Sequence, residues 1–291
     1  MRTAFLGTSA FAAAILERLA ASPHRPALVV TRPDRPAGRG QRVQAPPVAD
    51  AARALGLELD QPESVNDSAA RARIAAAAPE AVVVCAFGAL IREPLLSEHE
   101  LLNVHPSLLP RWRGAAPVER AIMAGDATTG VSIMRLTAGL DSGPVCLAGE
   151  EPIAPDDTYA TLAARLEELG AELLLRALSE RPAFADQPEE GVTYAEKIGP
   201  ADRTLSGSDA VVAERVVRAL HPHVGARALL ADGSYLGVLR ARITEGGASD
   251  HVVAREGRLL LGALELLEVR PPGGRPMDAA AFLRGRGLPE S

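Results

Sequence analysis

The run Ala81–Ala86, AVVVCA, contains no polar position. A strand with one face in water alternates apolar and polar residues, because successive side chains point to opposite sides. A run without alternation belongs to a strand covered on both faces, the condition of an inner strand in a parallel sheet flanked by helices. Shorter apolar segments of the same kind precede it at Arg2–Gly7 (RTAFLG) and Ala27–Thr31 (ALVVT), with a short strand predicted at Leu57–Leu59. Helical patterns lie between them at Ala10–Ala21, Val48–Leu55 and Ser68–Ala78, the last stopped by Pro79. This alternation predicts an α/β, doubly wound domain. The turn after the first segment, GTSAF, lacks the second and third glycines of the dinucleotide fingerprint, so a nucleotide cofactor is unsupported.

Asp156–Leu178 carries the longest helical pattern, with Leu162, Leu166, Leu169 and Leu173 at helical spacing. It closes a first domain, residues 1–185. Residues 186–203, which include Pro188, Gly191 and Pro200, read as a linker. The second domain, 204–291, opens with a helix at Ser208–Leu220, capped by Ser208 or Asp209. The runs Ala226–Leu230, Ser234–Ile243, His251–Arg255 and Arg258–Val269 follow, separated by DGS and EGG turns, and predict a small β-barrel.

Hydrophobic residues make up 47% of the 291, enough to bury a core. No run approaches the ~18 apolar residues of a membrane span and no leader pattern precedes the first strand, so a soluble, cytoplasmic protein without membrane contact is expected. Two cysteines, Cys85 and Cys146, exclude a disulfide framework and a multi-cysteine zinc site. His221 and His223 suggest a metal pair, but no adjacent Cys or carboxylate completes it, and no metal is expected. The net charge of −6 argues against a protein that coats nucleic acid nonspecifically. The charge is uneven, however. Thr31–Pro47 holds Arg32, Arg35, Arg39 and Arg42 against Asp34 alone, in a Pro- and Gly-rich stretch that reads as an extended, mobile loop. Guanidiniums on such a loop suit phosphate; the alternative is a solvated loop without a partner.

The chemistry concentrates in Leu101–Pro117, LLNVHPSLLPRWRGAAP. Leu101–His105 reads as a strand, which puts Asn103 and His105 on one face and Val104 on the other, and Pro106 ends the ladder. In open α/β sheets, ligands bind beyond the carboxyl ends of the strands. An amide and an imidazole there can address one developing negative charge, although a histidine at a strand end can also simply bond a carbonyl. Asp141, between Gly139 and Gly143 in LTAGLDSGPV, supplies a carboxylate that either supports His105 or only caps its own turn. Trp112, the single tryptophan, either stacks on a ligand or anchors packing. Cys85 lies too deep in an apolar run to suggest a nucleophile.

The stretch NVHPSLLPRWRGAAPVERAIMAGDATTGVSIMRLTAGLDSGPV resembles the core of the formyltetrahydrofolate-dependent formyltransferases. Further matches at FLGTSAFA, TRPDRPAGRGQR, TYAEKI and MDAAAFLRG extend the similarity from Arg2 to about Arg286 and point to the tRNA-formylating branch of that family. The resemblance implies a Rossmann-like catalytic domain followed by an OB-like barrel that grips tRNA. It implies a catalytic trio at Asn103, His105 and Asp141. It places the folate site at Phe87, Gly88, Leu90, Ser107, Leu108, Leu109 and Pro110, and tRNA contacts at Arg35, Arg39 and Arg42. The implied reaction moves the formyl group of 10-formyltetrahydrofolate to the α-amine of methionine on initiator Met-tRNA, in a monomer. The chain departs from the family pattern at Gln41-Arg42, where a lysine pair is usual, and at Arg203-Thr204-Leu205 and His221-Pro222-His223-Val224, where an Asp-Trp pair and a Pro-Trp-Pro turn are usual. A glycinamide ribonucleotide formyltransferase and a folate-dependent hydrolase are the competing enzymes, but neither gives a reason for residues 204–291. A tRNA- or folate-binding module without catalysis gives none for the complete trio.

Overall fold

The computed structural model describes residues 1–37 and 42–285. Strand β1 (Thr3–Gly7) is buried throughout. Helix α1 (Ala10–Ala20) follows, its first turn capped by Ser9, whose side chain accepts from the Ala12 N–H. Gly7 is required by crowding rather than by backbone conformation. A Cβ there would stand 2.6 Å from Phe5 Cε1, 2.9 Å from Ala12 Cβ and 3.0 Å from the Cys85 carbonyl.

Next come β2 (Pro26–Val30) and two short strands, β3 (Arg35–Ala37) and β4 (Arg42–Gln44), which pair antiparallel with Arg35 opposite Gln44. The arginine-rich stretch, expected as a mobile loop, is thus an exposed β-ribbon where it is described. Pro36 favours this, since it fixes its own φ and pushes Arg35 into the extended region. The chain continues through α2 (Pro47–Ala54), β5 (Leu59–Asp60), α3 (Ser68–Ala76), β6 (Ala81–Cys85), α4 (Leu95–Glu98) and β7 (Leu101–His105). The short β8 (Arg113–Gly114) precedes α5 (Pro117–Ala124), β9 (Thr128–Arg135), β10 (Val145–Pro152), α6 (Tyr159–Glu180) and β11 (Tyr194–Ala195).

The main sheet has the order β10-β9-β7-β6-β1-β2-β5. Its five strands from β7 to β5 are parallel, while β9 and β10 are antiparallel additions at one edge. The chain winds outward from β1 through β2 to β5, then returns to the other side of β1 with β6 and β7. The strand order therefore reverses between β1 and β6, where such sheets open a crevice at their carboxyl ends. Every residue of β6 and β7 is buried, as the unbroken apolar run of β6 requires. Ala4, Leu6, Val82, Val84 and Leu101 lie in one buried cluster with Ile74 and Leu95. On the opposite face Val104 Cγ1 lies 3.1 Å from where a Cβ on Gly170 of α6 would stand.

The chain divides into two compact units: residues 1–117, 128–152 and 163–195 form the first, and 118–127, 153–162 and 196–291 the second. In the second, α7 (Ala210–Leu220) is capped by Asp209, whose carboxylate accepts from the Val211 and Val212 N–H groups. The strands are β12 (Ala226–Leu229), β13 (Tyr235–Ile243), β14 (Val253–Arg255), β15 (Arg258–Leu261), β16 (Leu264–Arg270) and β17 (Met277–Asp278), and α8 (Ala279–Gly285) follows. The single run predicted over Arg258–Val269 is in fact two strands that turn at Gly262, whose φ is +60°. The strands form an antiparallel sheet in the order β12-β13-β16-β15-β14, with β17 on β16, over a core that includes Leu236, Leu259, Leu261, Leu264 and Phe282. A sheet of this kind, rather than a closed barrel, is what the strand pairing establishes. His223 does have a carboxylate beside it: its Nε2 lies 2.9 Å from Glu119 Oε1, a neighbour 104 positions away that local sequence could not supply. Among the described residues, no group of three or more His, Cys, Asp or Glu could hold a metal ion.

Candidate active site

Asn103 and His105 project from the carboxyl half of β7, and both are buried, at 8% and 4% exposure. The pairing with β9 puts His105 opposite Ser132 and Asn103 opposite Met134, so all four share a face. Asp141 reaches them from the loop between β9 and β10. Its Oδ2 stands 3.8 Å from His105 Nδ1, and its Oδ1 lies 3.5 Å from the Asn103 amide nitrogen. The three side chains expected to act together do converge. The turn-capping alternative for Asp141 fares less well, since Oδ2 accepts a 2.9 Å hydrogen bond from the distant Gly114 N–H. Asp141 has φ +42°, a left-handed conformation that Asp and Asn adopt more readily than other L-residues.

The other face of the imidazole fixes its tautomer. His105 Nε2 lies 2.9 Å from the carbonyl oxygen of Trp112. A carbonyl only accepts, so Nε2 carries a proton and donates it, leaving Nδ1 as the nitrogen that faces Asp141. The histidine therefore bonds a carbonyl, as a structural residue would, and also meets a carboxylate. Trp112 contributes through its backbone, while its ring is stacked by the Arg111 guanidinium at 4.4 Å.

Residues 107–116 are tied down at several points. The Ser107 hydroxyl donates to the Arg111 carbonyl at 2.6 Å. The fully buried Ser132 donates to the Ser107 carbonyl at 2.7 Å and accepts from the Leu109 N–H at 3.1 Å. Leu108, Leu109 and Pro110 are half-buried at the surface of this turn. On the neighbouring strand β6, the following loop holds Phe87, buried, Gly88 at φ +71°, and Leu90, 63% exposed. That loop is anchored by Thr8 Oγ1 on the Phe87 carbonyl, Arg32 on the Gly88 carbonyl and Asn66 on the Leu90 carbonyl. The two expected folate segments thus leave adjacent strands at the same end of the sheet. The Ser107 hydroxyl, spent on Arg111, shapes that edge rather than offering a free donor.

Of the expected tRNA contacts, Arg35 and Arg42 lie exposed on the ribbon, with Arg35 3.7 Å from Glu63, and Arg39 lies outside the described residues. Cys85 is fully buried and burial pushes its thiol pKa far up, so it offers no thiolate. Local reading missed Ser132, Arg113, Gln187 and Thr193. Ser132 carries a signal, a lone hydroxyl in the apolar run VSIM; Gln187 and Thr193, in the stretch expected as a linker, carry none.

The model of the formyl transferase family matches residues 1–178. The chain belongs to the formyl transferase family. Among its curated relatives, the methionyl-tRNA formyltransferase of Dechloromonas aromatica is 43% identical over 99% of this chain and 97% of its own length. That of Dinoroseobacter shibae is 43% identical over 99% of both. Among solved structures, HypX of Aquifex aeolicus in complex with tetrahydrofolic acid matches all of this formyltransferase-family chain with a TM-score of 0.68 at 19% identity. This chain spans 48% of HypX, and at that identity the likeness is one of fold.

Proposed function

We propose that this chain transfers the formyl group of 10-formyltetrahydrofolate to the α-amine of methionine on initiator Met-tRNA, giving formylmethionyl-tRNA and tetrahydrofolate. The observation that carries this reading is the convergence of Asn103, His105 and Asp141 at the carboxyl end of β7, in a chain that aligns end to end with methionyl-tRNA formyltransferases. The apolar side chains of Leu90, Leu108, Leu109 and Pro110 suit the flat ring system of the folate, with the buried Phe87 and the exposed Gly88 assigned to the same site. No residue needs to form a covalent intermediate.

In this mechanism the Asn103 amide donates to the oxyanion that develops when the amine adds to the formyl carbon. His105 donates to the same oxygen from Nδ1, because its Nε2 proton is committed to the Trp112 carbonyl. The ring must therefore be the imidazolium, and the Asp141 carboxylate beside Nδ1 stabilises that charge. Asp141 also takes the proton the amine loses and returns it to N10 as the carbon–nitrogen bond to the folate breaks.

We assign catalysis to residues 1–185 and tRNA binding to residues 204–291 together with the arginine ribbon, with 186–203 between them. An OB-like barrel for the second unit draws support from one parallel bridge, Leu230 with Val252, beside the ends of β12 and β14. Arg35 and Arg42, exposed on the ribbon, are suited to acceptor-stem phosphates, and Arg39 is assigned with them. We assign the chain as a monomer of the cytoplasm, a location that suits the proposed tRNA and folate substrates. The deciding assay offers 10-formyltetrahydrofolate with either charged initiator tRNA or glycinamide ribonucleotide. Formylation of the tRNA alone is expected; formylation of the nucleotide, hydrolysis without an acceptor, or unchanged turnover in Asn103→Ala, His105→Ala and Asp141→Ala would overturn the proposal.

A further inference from the structure

Residues 187–195 lie in the stretch that sequence reads as a linker, yet they bond to the backbone of both loops that complete the site. The Gln187 side-chain amide donates to the Asp141 carbonyl at 2.8 Å and to the Gly143 carbonyl at 2.7 Å. Its oxygen accepts from Arg113 Nε at 2.9 Å and from a terminal nitrogen of the same guanidinium at 2.7 Å. The amide cannot be flipped, because two carbonyls require donors and the guanidinium requires an acceptor. Gln187 therefore joins the loop that carries Asp141 to the segment that carries Trp112 and Gly114.

The same stretch holds that second segment along its length. Thr193 Oγ1 accepts from the Trp112 N–H at 2.9 Å, and the Thr193 carbonyl accepts from the Arg113 N–H at 2.9 Å. The Ala195 carbonyl accepts from the Ala115 N–H at 2.8 Å, within the parallel pairing of β8 and β11. Gly114, at φ +124°, leaves no room for a side chain there, since a Cβ would stand 2.7 Å from the Ala195 carbonyl. The two groups that orient the trio, the Trp112 carbonyl on His105 Nε2 and the Gly114 N–H on Asp141 Oδ2, both belong to the segment so held.

We infer that residues 187–195 act as a strap that sets the position of Asp141 relative to His105, with Gln187 and Thr193 as positioning residues for formyl transfer. The inference rests on the trio assigned above. Neither side chain needs to touch substrate; each acts through the backbone of residues that carry or orient the reacting groups. Misplacing such a group by about 1 Å costs on the order of 10²-fold in rate.

The test uses Gln187→Glu, which keeps the acceptor for Arg113 and loses both amide donors, and Thr193→Val, which keeps the shape and loses the acceptor for the Trp112 N–H. Thr193→Ser restores that acceptor. Expected are kcat values about 10–100-fold lower for Gln187→Glu and Thr193→Val, KM values for both substrates within about 3-fold of wild type, and near wild-type kcat for Thr193→Ser. The second readout is independent of activity. Ring nitrogen NMR shifts of His105, in protein labelled at its histidines, should change in both impaired variants, because the Nε2 and Nδ1 partners move. Unaltered His105 shifts, or a kcat loss that Thr193→Ser shares equally, overturn the strap. If wild-type protein fails to formylate Met-tRNA, the assigned reaction falls, and the His105 shifts still decide whether 187–195 positions the ring.

Discussion

Replacing Asp141 by asparagine keeps the residue's shape and removes the carboxylate's charge together with its capacity to take a proton. The position has φ +42°, which asparagine accepts as readily as aspartate, whereas alanine would add backbone strain to any loss of function. Asparagine also keeps an oxygen for the Gly114 N–H. It removes the negative charge 3.8 Å from His105 Nδ1, where the two side chains are only 5% and 14% exposed. At an effective dielectric of about 20, opposite unit charges at that distance attract by about 4 kcal/mol, which sets the scale of the charge's part of the effect, and the lost proton transfer adds to it. About 10³-fold in rate corresponds to that energy, so kcat for Met-tRNA formylation should fall by at least about 10²-fold. Substrate binding does not use this charge, so KM for either substrate should stay within about 3-fold. The assay is steady-state formylation with both substrates varied, run beside urea denaturation to show that the variant is folded. An Asp141→Asn enzyme with kcat within about 3-fold of wild type would refute the argument that the carboxylate sustains an imidazolium at His105.

Ser132→Ala should destabilise the protein by about 2–4 kcal/mol in urea unfolding, because it leaves the Leu109 N–H and the Ser107 carbonyl without their partner, and it should raise KM for the folate donor. Glu167 is half-buried on α6 with Glu17 close by, and desolvation followed by that like charge raises its pKa. The unfolded chain thus gives up this proton at lower pH than the native state does, and the ionised side chain costs stability above both values. Glu167→Gln should therefore raise Tm at neutral pH, and the difference should shrink as the pH falls through the raised native pKa and disappear below the unfolded-state value. Arg35→Ala combined with Arg42→Ala should raise KM for Met-tRNA and lower its salt dependence by about two charges' worth, leaving kcat near wild type. Unchanged salt dependence would make the ribbon a solvated one.

The catalytic half was legible where function and fold place the same local demand. An apolar run without polar breaks allows little besides a doubly covered strand, and β6 is one. Period-two spacing put Asn103 and His105 on one face before any contact was known, and Val104 does face α6 on the other side. The arginine stretch was less legible, because Pro and Gly read as irregular chain whereas pairing with Val43 and Gln44 makes a ribbon of it. The linker stretch was least legible of all. Its residues have no periodicity, and their roles lie in hydrogen bonds to segments about 45 to 80 positions away, of the long-range kind that only a folded chain supplies.

By itself the sequence determined the layered α/β architecture and the shared face of Asn103 and His105, since both follow from the pattern and spacing of residues along single strands. Only the tertiary structure decided how the residues of the candidate site are arranged. It put a carbonyl on His105 Nε2, turned Nδ1 towards Asp141, and placed a backbone N–H against Asp141 Oδ2. It also turned a proline-punctuated connection into the segment that holds both loops. The physical reason is that a hydrogen bond depends on distance and direction between groups brought together by folding, and neither quantity is written in the order of residues along the chain.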